Sequence, residues 1–239
     1  MSTLLAVRHG QASFLADDYD QLSALGEDQS RRLGEFWVSA GIRPDRVFHG
    51  SLKRHRQTCA AVSEAFFAAG IDWPEPVVIP GINEFEGGDV MKHIFPELVK
   101  RDPSLKSLET DFAAAESPDE RNRTFQRMFV LGCRAWIQGE ILSEGVESWV
   151  DFKTRVKAGV SKVRAALGKG EVGAMFSSGG PLGVMMQFAI GINDTEALEM
   201  GFQMRNAAYC EYIVTPKRFN LSVFNTHPHL ANQELITYR

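Results

Sequence analysis

Cysteine, long apolar stretches and surplus positive charge are all scarce in this sequence. Three cysteines, Cys59, Cys133 and Cys210, stand among 239 residues. They are odd in number, widely separated and form no C-x-x-C pair, which argues against a disulfide framework or a thiolate metal site and predicts reduced thiols in a core. No apolar run approaches the ~18 residues that mark a membrane span. The N-terminal MSTLLAVRHG lacks both the apolar stretch and the small-residue cleavage site of an export signal. A soluble cytoplasmic protein with no membrane partner is therefore expected. Lys and Arg number 26 against 30 Asp and Glu, a formal charge of −4. That balance gives no general attraction for nucleic acid or an anionic surface. No internal repeat or low-complexity tract is visible either. What remains is an ordinary globular composition, 44% hydrophobic and 23% charged, on a chain long enough to bury well over half of its unfolded surface.

Short apolar, β-rich runs alternate with longer amphipathic segments, the pattern of an α/β fold with a largely parallel sheet. Residues 4–7, 47–49, 77–79, 172–176, 208–214 and 221–224 read as strands. Helices are predicted over 26–40, where Leu33, Phe36 and Trp37 recur at helical spacing, and over 53–69, 147–167 and 180–190. Pro216-Lys217-Arg218 is a connection short enough for an antiparallel hairpin, so the sheet is expected to be mixed. Between about 88 and 145 the chain is rich in charge and helix formers, is broken by Pro96, Pro103 and Pro118, and shows no strand. This stretch reads as a helical insertion on a single domain spanning 1–239.

Open α/β sheets bind ligands beyond the carboxyl ends of their strands, so the polar residues that follow each strand carry the most information. They are Arg8-His9-Gly10-Gln11; Gly50-Ser51 with Lys53-Arg54-His55-Arg56; Asn83, Glu84 and Glu86; and Ser177-Ser178-Gly179-Gly180-Pro181. A guanidinium presents forked donors that match phosphate oxygens, and a helix start adds backbone N–H groups and a partial positive charge. Pro181 in the first turn after Ser and Gly suits such a start. An imidazole there could attack phosphorus while a carboxylic acid protonates the leaving oxygen. Each piece alone is ordinary: a histidine after a strand is usually a hydrogen bonder, and Lys53 to Arg56 would pass for a solvated helix start. Their convergence on one sheet edge points to phosphoryl transfer.

Ordered motifs over nearly the whole chain then resemble the histidine phosphatase superfamily, the phosphoglycerate mutase-like fold. Val7-Arg8-His9-Gly10-Gln11 is similar to its R-H-G signature, and Leu22-Ser23-Ala24-Leu25-Gly26 with Gln29 and Leu33 to its L-[ST]-x-x-G-x-x-Q-x-x-x-L segment. Ser51 to Thr58 resembles L-x-R-A-x-Q-T; Asn83-Glu84-Phe85 with Gly87 resembles the segment that supplies the acid, which favours Glu84 over Glu86. Gly145, Glu147-Ser148, Phe152 and Arg155-Val156 are similar to its G-E-S-x-x-x-F-x-x-R-V stretch. The resemblance implies a three-layer α/β/α sandwich with a mostly parallel sheet and a helical cap. By it, His9 is the nucleophile, Glu84 the acid, and Arg8 and Arg54 the clamp on the phosphoryl oxygens. Gln11, Ser178 and Gly179 are expected to help bind the phosphate. No metal or other cofactor is implied, because two guanidinium groups and a helix terminus would neutralise the charge.

One departure stands out. The family usually carries a second histidine after the fourth strand, in [VT]-S-H-G-G, where this chain reads Phe176-Ser177-Ser178-Gly179-Gly180. Loss of one preorganised donor typically costs about 10²–10³ in rate, so a weak phosphatase is expected; a gain of about a hundredfold in Ser178→His would match that loss, and no gain would mean that another group fills the role or that the pocket serves another purpose. His55, placed where the family prefers Ala, is expected to point away from Arg54. His227 and His229 flank Pro228 in what reads as a polar loop near the sheet edge, and His49 and His93 read as structural.

Three functions compete at this stage. The first is a metal-independent phosphatase acting on a small phosphate ester, the second a catalytically decayed module that only binds a phosphate ligand, and the third a phosphoglycerate mutase. In the insertion, Lys92, Lys100, Arg101, Lys106, Arg121 and Arg123 read mainly as solvated helix charges. Phe125, Met128, Phe129, Leu131 and Trp136 form an apolar set that packs on a core or, if exposed, would make a homodimer surface.

Overall fold

Strand β1 (Ser2–Arg8) buries six of its seven residues, the signature of a strand covered on both faces. The computed structural model describes residues 1–13, 20–141 and 143–238. Chain order continues with α1 (Ala24–Ser39), β2 (Arg46–His49), α2 (Lys53–Ala68) and β3 (Val77–Val78). Five helices follow: α3 (Gly87–Asp89), α4 (Phe95–Arg101), α5 (Lys106–Ala114), α6 (Pro118–Gln138) and α7 (Trp149–Ala166). The chain closes with β4 (Val172–Ser177), α8 (Gly179–Ile190), α9 (Asp194–Gln203), β5 (Tyr209–Val214) and β6 (Phe219–Thr226). The six strands lie in the order β3-β2-β4-β1-β5-β6. Pairs β3–β2, β2–β4 and β4–β1 are parallel, whereas β1–β5 and β5–β6 are antiparallel. The expected mixed, mostly parallel α/β sheet is what the chain forms.

Alternate residues of the central strands feed different layers. Leu5, Val7, Val47, Ala174, Phe176 and Tyr209 pack with Leu33, Trp37, Cys59, Val62 and Phe66 of α1 and α2. Burying a side chain the size of Leu or Phe stabilises the fold by about 1.5–3 kcal/mol, so this layer fixes both helices on the sheet. The intervening residues Leu4, Ala6, Phe48, Met175 and Cys210 are buried too, toward the layer that holds α8 and α9. Cys59, Cys133 and Cys210 are buried free thiols, and burial pushes Cys59 up to about 12 and Cys210 to about 11. They are core residues, as expected.

Helix ends follow local chemistry. Ser23 caps α1, its Oγ accepting from the Gly26 N–H. Ser117 and Glu120 form a capping box at α6, with Pro118 in its first turn and Gly139 at its end in the left-handed region, φ 67°. Helix α9 was not anticipated, although Asn193 and Glu196 form a second capping box at its start. That polar signature was legible in the sequence, but the helix is only ten residues long and gives its apolar positions, Ala197, Leu198, Met200 and Phe202, little length over which to repeat.

Residues 85–154 make a compact unit of their own, and residues 1–84 with 155–239 make the other. All six strands belong to the larger unit. In the smaller, Phe95, Leu108 and Met128 form a buried centre with Met91, Leu98, Phe112 and Leu131 around it. Phe85 contacts Phe129, Trp136 and Phe152, and Trp136 lies edge-on to Trp149 at 5.2 Å. All six of its named cations are exposed, as solvated helix charges would be, and two of them pair with neighbours, Lys100 with Glu97 and Arg101 with Glu140.

Helices α8 and α9 approach so closely that Gly183 admits no side chain, since a Cβ there would lie 2.0 Å from the Ala197 carbonyl oxygen. Gly183→Ala should therefore force the pair apart and destabilise the protein by about 1–3 kcal/mol, read as a lower midpoint in urea unfolding with an unchanged slope.

Candidate active site

The carboxyl ends of β1, β2 and β4 come together with the starts of α2 and α8. Register alone brings two of the pieces into line: Arg8 of β1 lies opposite Ser177 of β4, and the His9 N–H donates to the Ser177 carbonyl at 2.9 Å. His9 is then enclosed from several directions. Its carbonyl accepts from the Ala207 N–H and from Asn206 Nδ2. Ala207 adopts φ 56° to make that contact, a conformation a non-glycine residue holds at a cost of about 1–2 kcal/mol. The next N–H, of Gly10, donates to Thr58 Oγ1, whose own hydroxyl donates to the Arg54 carbonyl. The strand end and the start of α2 are thus tied by a single threonine.

The ring of His9 has a defined tautomer. Nδ1 lies 2.7 Å from the Gly10 carbonyl oxygen. A carbonyl can only accept, so Nδ1 carries the proton and Nε2 keeps its lone pair. Burial, then the neighbouring charges of Arg54 and Arg8, then His55, hold the His9 imidazole well below its ordinary pKa. The ring is neutral near pH 7 and basic at Nε2.

Arg8 and Arg54 are 8% and 7% exposed, deep enough for their charges to be felt. Arg8 Nη1 donates to the Met204 carbonyl, and Arg54 Nη1 meets Asp20 Oδ1 at 2.7 Å. Asp20 also accepts from the Lys53 N–H through Oδ2, which fixes the carboxylate against the first turn of α2. Sequence reasoning missed Asp20. An acidic residue thirty-four positions before an arginine carries no spacing signal, and only the fold brings them together. Gln11 is tethered rather than loose: Gln29 Oε1 accepts from its backbone N–H and its own Oε1 accepts from Ser23 Oγ.

Glu84 reaches the same place from the loop after β3. Its Oε2 accepts from the Gly180 N–H at 3.0 Å, at the start of α8. The loop is held by Arg155, which donates to the carbonyls of Gly81, Asn83 and Glu84. Asn83 adds two bonds to Ser51, accepting from its N–H and donating to its Oγ, while Ser177 Oγ donates to the Ile82 carbonyl. The carboxylate is therefore positioned by three separate elements. Glu86, the other acidic residue weighed for this place, is exposed.

Two details were not anticipated. The Gly180 N–H, a backbone donor at the α8 start, is bonded to Glu84. His55 is directed away from Arg54, as expected, but into the site: it is fully buried, its Nε2 lies 2.6 Å from Ser178 Oγ, and its ring centre is 5.8 Å from that of His9. The rule that residues three and four apart share a face does not reveal this, because the first turn of α2 abuts the site end-on. Arg54 turns toward Asp20 on one side and His55 toward Ser178 on the other.

His49 ends β2 at the same sheet edge, whereas His227 and His229 follow β6. His49 Nδ1 donates to the Gly50 carbonyl. His229 is 8% exposed, packs against the Phe36 ring and is pulled down to about 3 chiefly by burial; it belongs to the packed interior rather than to a polar loop. His227 Nδ1 donates to the Asn225 carbonyl. Among the described residues, no three His, Cys, Asp or Glu side chains gather as metal ligands would, and no helix is long and apolar enough to cross a membrane. A separate cavity of about 660 Å³ is lined by Ser2, Ser161, Arg164 and Pro216 and by none of the residues above.

Comparison with known proteins identifies the family and the fold. The sequence profile of the histidine phosphatase superfamily (branch 1) matches residues 4–130, and the chain belongs to that superfamily. A stretch of 80 residues is 40% identical to the 2,3-bisphosphoglycerate-dependent phosphoglycerate mutase of Thermobifida fusca, covering 30% of this chain and 31% of that enzyme. The chain thus matches less than a third of that relative's length. Solved structures of similar fold include the alpha-ribazole phosphatase of Shigella flexneri, 18% identical with a TM-score of 0.63 over 94% of this chain and 96% of that one. The phosphoglycerate mutase of Bacillus anthracis is 16% identical, with a TM-score of 0.62 over 96% and 95% of the two chains. Phosphatases and mutases share this fold.

Three buried histidines, His9, His55 and His229, are all held below their ordinary pKa of 6.5. The unfolded chain protonates them near 6.5 and the folded protein does not, so the unfolded state binds more protons as pH falls. Stability should decline from pH 7 to pH 5, by up to about 1.4 kcal/mol per pH unit for each histidine. Thermal melts across that range check it, and His229→Phe should visibly flatten the slope.

Proposed function

We propose that this protein is a metal-independent phosphomonoesterase that hydrolyses a small phosphate ester through a phosphohistidine on His9. The observation that carries the reading is the His9 imidazole itself, neutral, protonated at Nδ1 by the demand of the Gly10 carbonyl, and flanked by two buried guanidinium groups. A neutral ring between two fixed cations suits an anionic electrophile, not a cationic or apolar one.

In this reading the phosphoryl group enters between Arg8 and Arg54, with Gln11, Ser178 and the Gly179 N–H beside it. His9 Nε2 attacks phosphorus as the ester P–O bond breaks, and Glu84 gives its proton to the leaving oxygen. The Glu84 carboxylate then takes a proton from water. The water oxygen attacks phosphorus, the P–N bond breaks, inorganic phosphate leaves and His9 is restored. Charge on the transferring group is met by the two guanidiniums and the helix start, which is where most of the catalytic stabilisation would arise. Solved neighbours named as alpha-ribazole phosphatase and as the mycobacterial glucosyl-3-phosphoglycerate phosphatase with inorganic phosphate support a phosphate-ester substrate. The relatives named as phosphoglycerate mutases support a second reading, transfer of the phosphoryl group back to a phosphoglycerate instead of to water.

Turnover of p-nitrophenyl phosphate in EDTA-containing buffer tests the first reading. His9→Ala should abolish it, and Glu84→Gln should lower kcat by about 10²–10⁴. Turnover that survives in His9→Ala overturns the phosphohistidine. Interconversion of 3- and 2-phosphoglycerate primed by 2,3-bisphosphoglycerate, faster than phosphate release, would favour the mutase.

A further inference from the structure

His55 and Ser178 come from chain segments 123 residues apart, yet they meet at 2.6 Å with both residues wholly buried. Ser178 occupies the N-cap position of α8, where a serine ordinarily turns its oxygen onto the helix's free N–H groups. Here the side chain makes no capping bond; its hydroxyl faces the imidazole instead. Something other than helix capping holds it there.

The direction of the bond follows from the other ring nitrogen. His55 Nδ1 is buried with no hydrogen-bond partner, and it faces Gly50 so closely that a Cβ on Gly50 would lie 2.3 Å away. A buried N–H lacking an acceptor costs about 1–3 kcal/mol, and orphaned donors are the rarer kind of unsatisfied group. The proton therefore sits on Nε2, and the unshared pair on Nδ1 faces Gly50. With Nε2–H donating, Ser178 Oγ is the acceptor, and its own hydroxyl proton is left to donate elsewhere. Burial and the charge of Arg54 keep the ring neutral, so this tautomer persists at pH 7.

The place where that proton can point is the space beside His9. β1 and β4 are neighbours in register, Ser177 accepts from the His9 N–H, and the His55 and His9 rings are 5.8 Å apart. We propose that His55 and Ser178 act as one unit, in which His55 Nε2–H fixes the Ser178 hydroxyl so that it donates to an oxygen of the phosphoryl group held at His9. Ser178 touches the substrate and His55 is a positioning residue acting through it. The loss in rate anticipated from a serine at position 178 then does not arise, because the imidazole is supplied from α2. Ser178→His should likewise bring no gain, since a second ring finds its space filled by the first.

This inference rests on the phosphoryl-transfer reading, and one set of variants separates the two. With p-nitrophenyl phosphate, Ser178→Ala should lower kcat about 10²-fold and His55→Ala about 10- to 100-fold, with KM within about threefold. The double variant should be no slower than Ser178→Ala, because the pair fails as a unit. His55→Gln, which keeps an N–H at a similar reach, should recover most of the loss, a rescue a purely structural role would not require. Wild-type kcat in a folded His55→Ala, or losses that multiply in the double variant, would sink the unit while leaving the phosphohistidine intact. Orthovanadate binding by calorimetry, read on the same variants, should weaken about tenfold in each single variant and no further in the double. That readout decides the unit even if turnover in His9→Ala has overturned the covalent reading.

Discussion

The contact between His9 Nδ1 and the Gly10 carbonyl oxygen, 2.7 Å long, sets the chemistry of the whole site. It selects one tautomer of one ring and thereby turns a buried histidine into a base with its lone pair directed away from the backbone. Everything around it keeps that state. The two arginines and the enclosing walls disfavour the imidazolium, the Thr58 hydroxyl holds the Gly10 amide, and Asn206 and Ala207 hold the His9 carbonyl. The Gly10 carbonyl belongs to the next peptide unit, whose Gln11 N–H donates to Gln29 Oε1, and that bond keeps the carbonyl turned toward the ring. Rigidity of backbone is here the means of controlling a proton.

The carboxylate is governed by a different economy of contacts. Arg155 gathers three carbonyls of the loop that carries Glu84, those of Gly81, Asn83 and Glu84, and the Gly180 amide meets the side chain itself. The loop after β3 would otherwise be poorly anchored, because β3 is a two-residue strand at the sheet edge. A short edge strand gives little register control, and the guanidinium replaces it.

Much of this was legible in the sequence because it is local. The strand-then-polar pattern at Arg8-His9, at His49-Gly50 and at Ser177-Ser178 places three chain segments at one sheet edge, and period and composition alone bring them there. The order of motifs led to the superfamily, and Glu84 was preferred to the exposed Glu86 for the same reason. What could not be read is what depends on distant partners. Asp20 meets Arg54 only after α2 docks, and His229 is buried although it lies in a short turn after the last strand, between Pro228 and Leu230. That the His55 ring enters the site was not legible, because helix periodicity describes the sides of a helix, whereas His55 sits at an end that faces the site. Helix α9 was overlooked because its capping signature precedes a segment with a faint apolar stripe.

Gly50 carries a consequence of its own. A methyl group at that position would collide with the His55 ring at 2.3 Å and with Asn83 Oδ1 at 2.5 Å. The smallest side chain there would strike both the imidazole and the amide that anchors the carboxylate loop. Position 50 is therefore closed from two sides: removing the imidazole alone would not admit a side chain, because Asn83 Oδ1 would still lie 2.5 Å from the same Cβ.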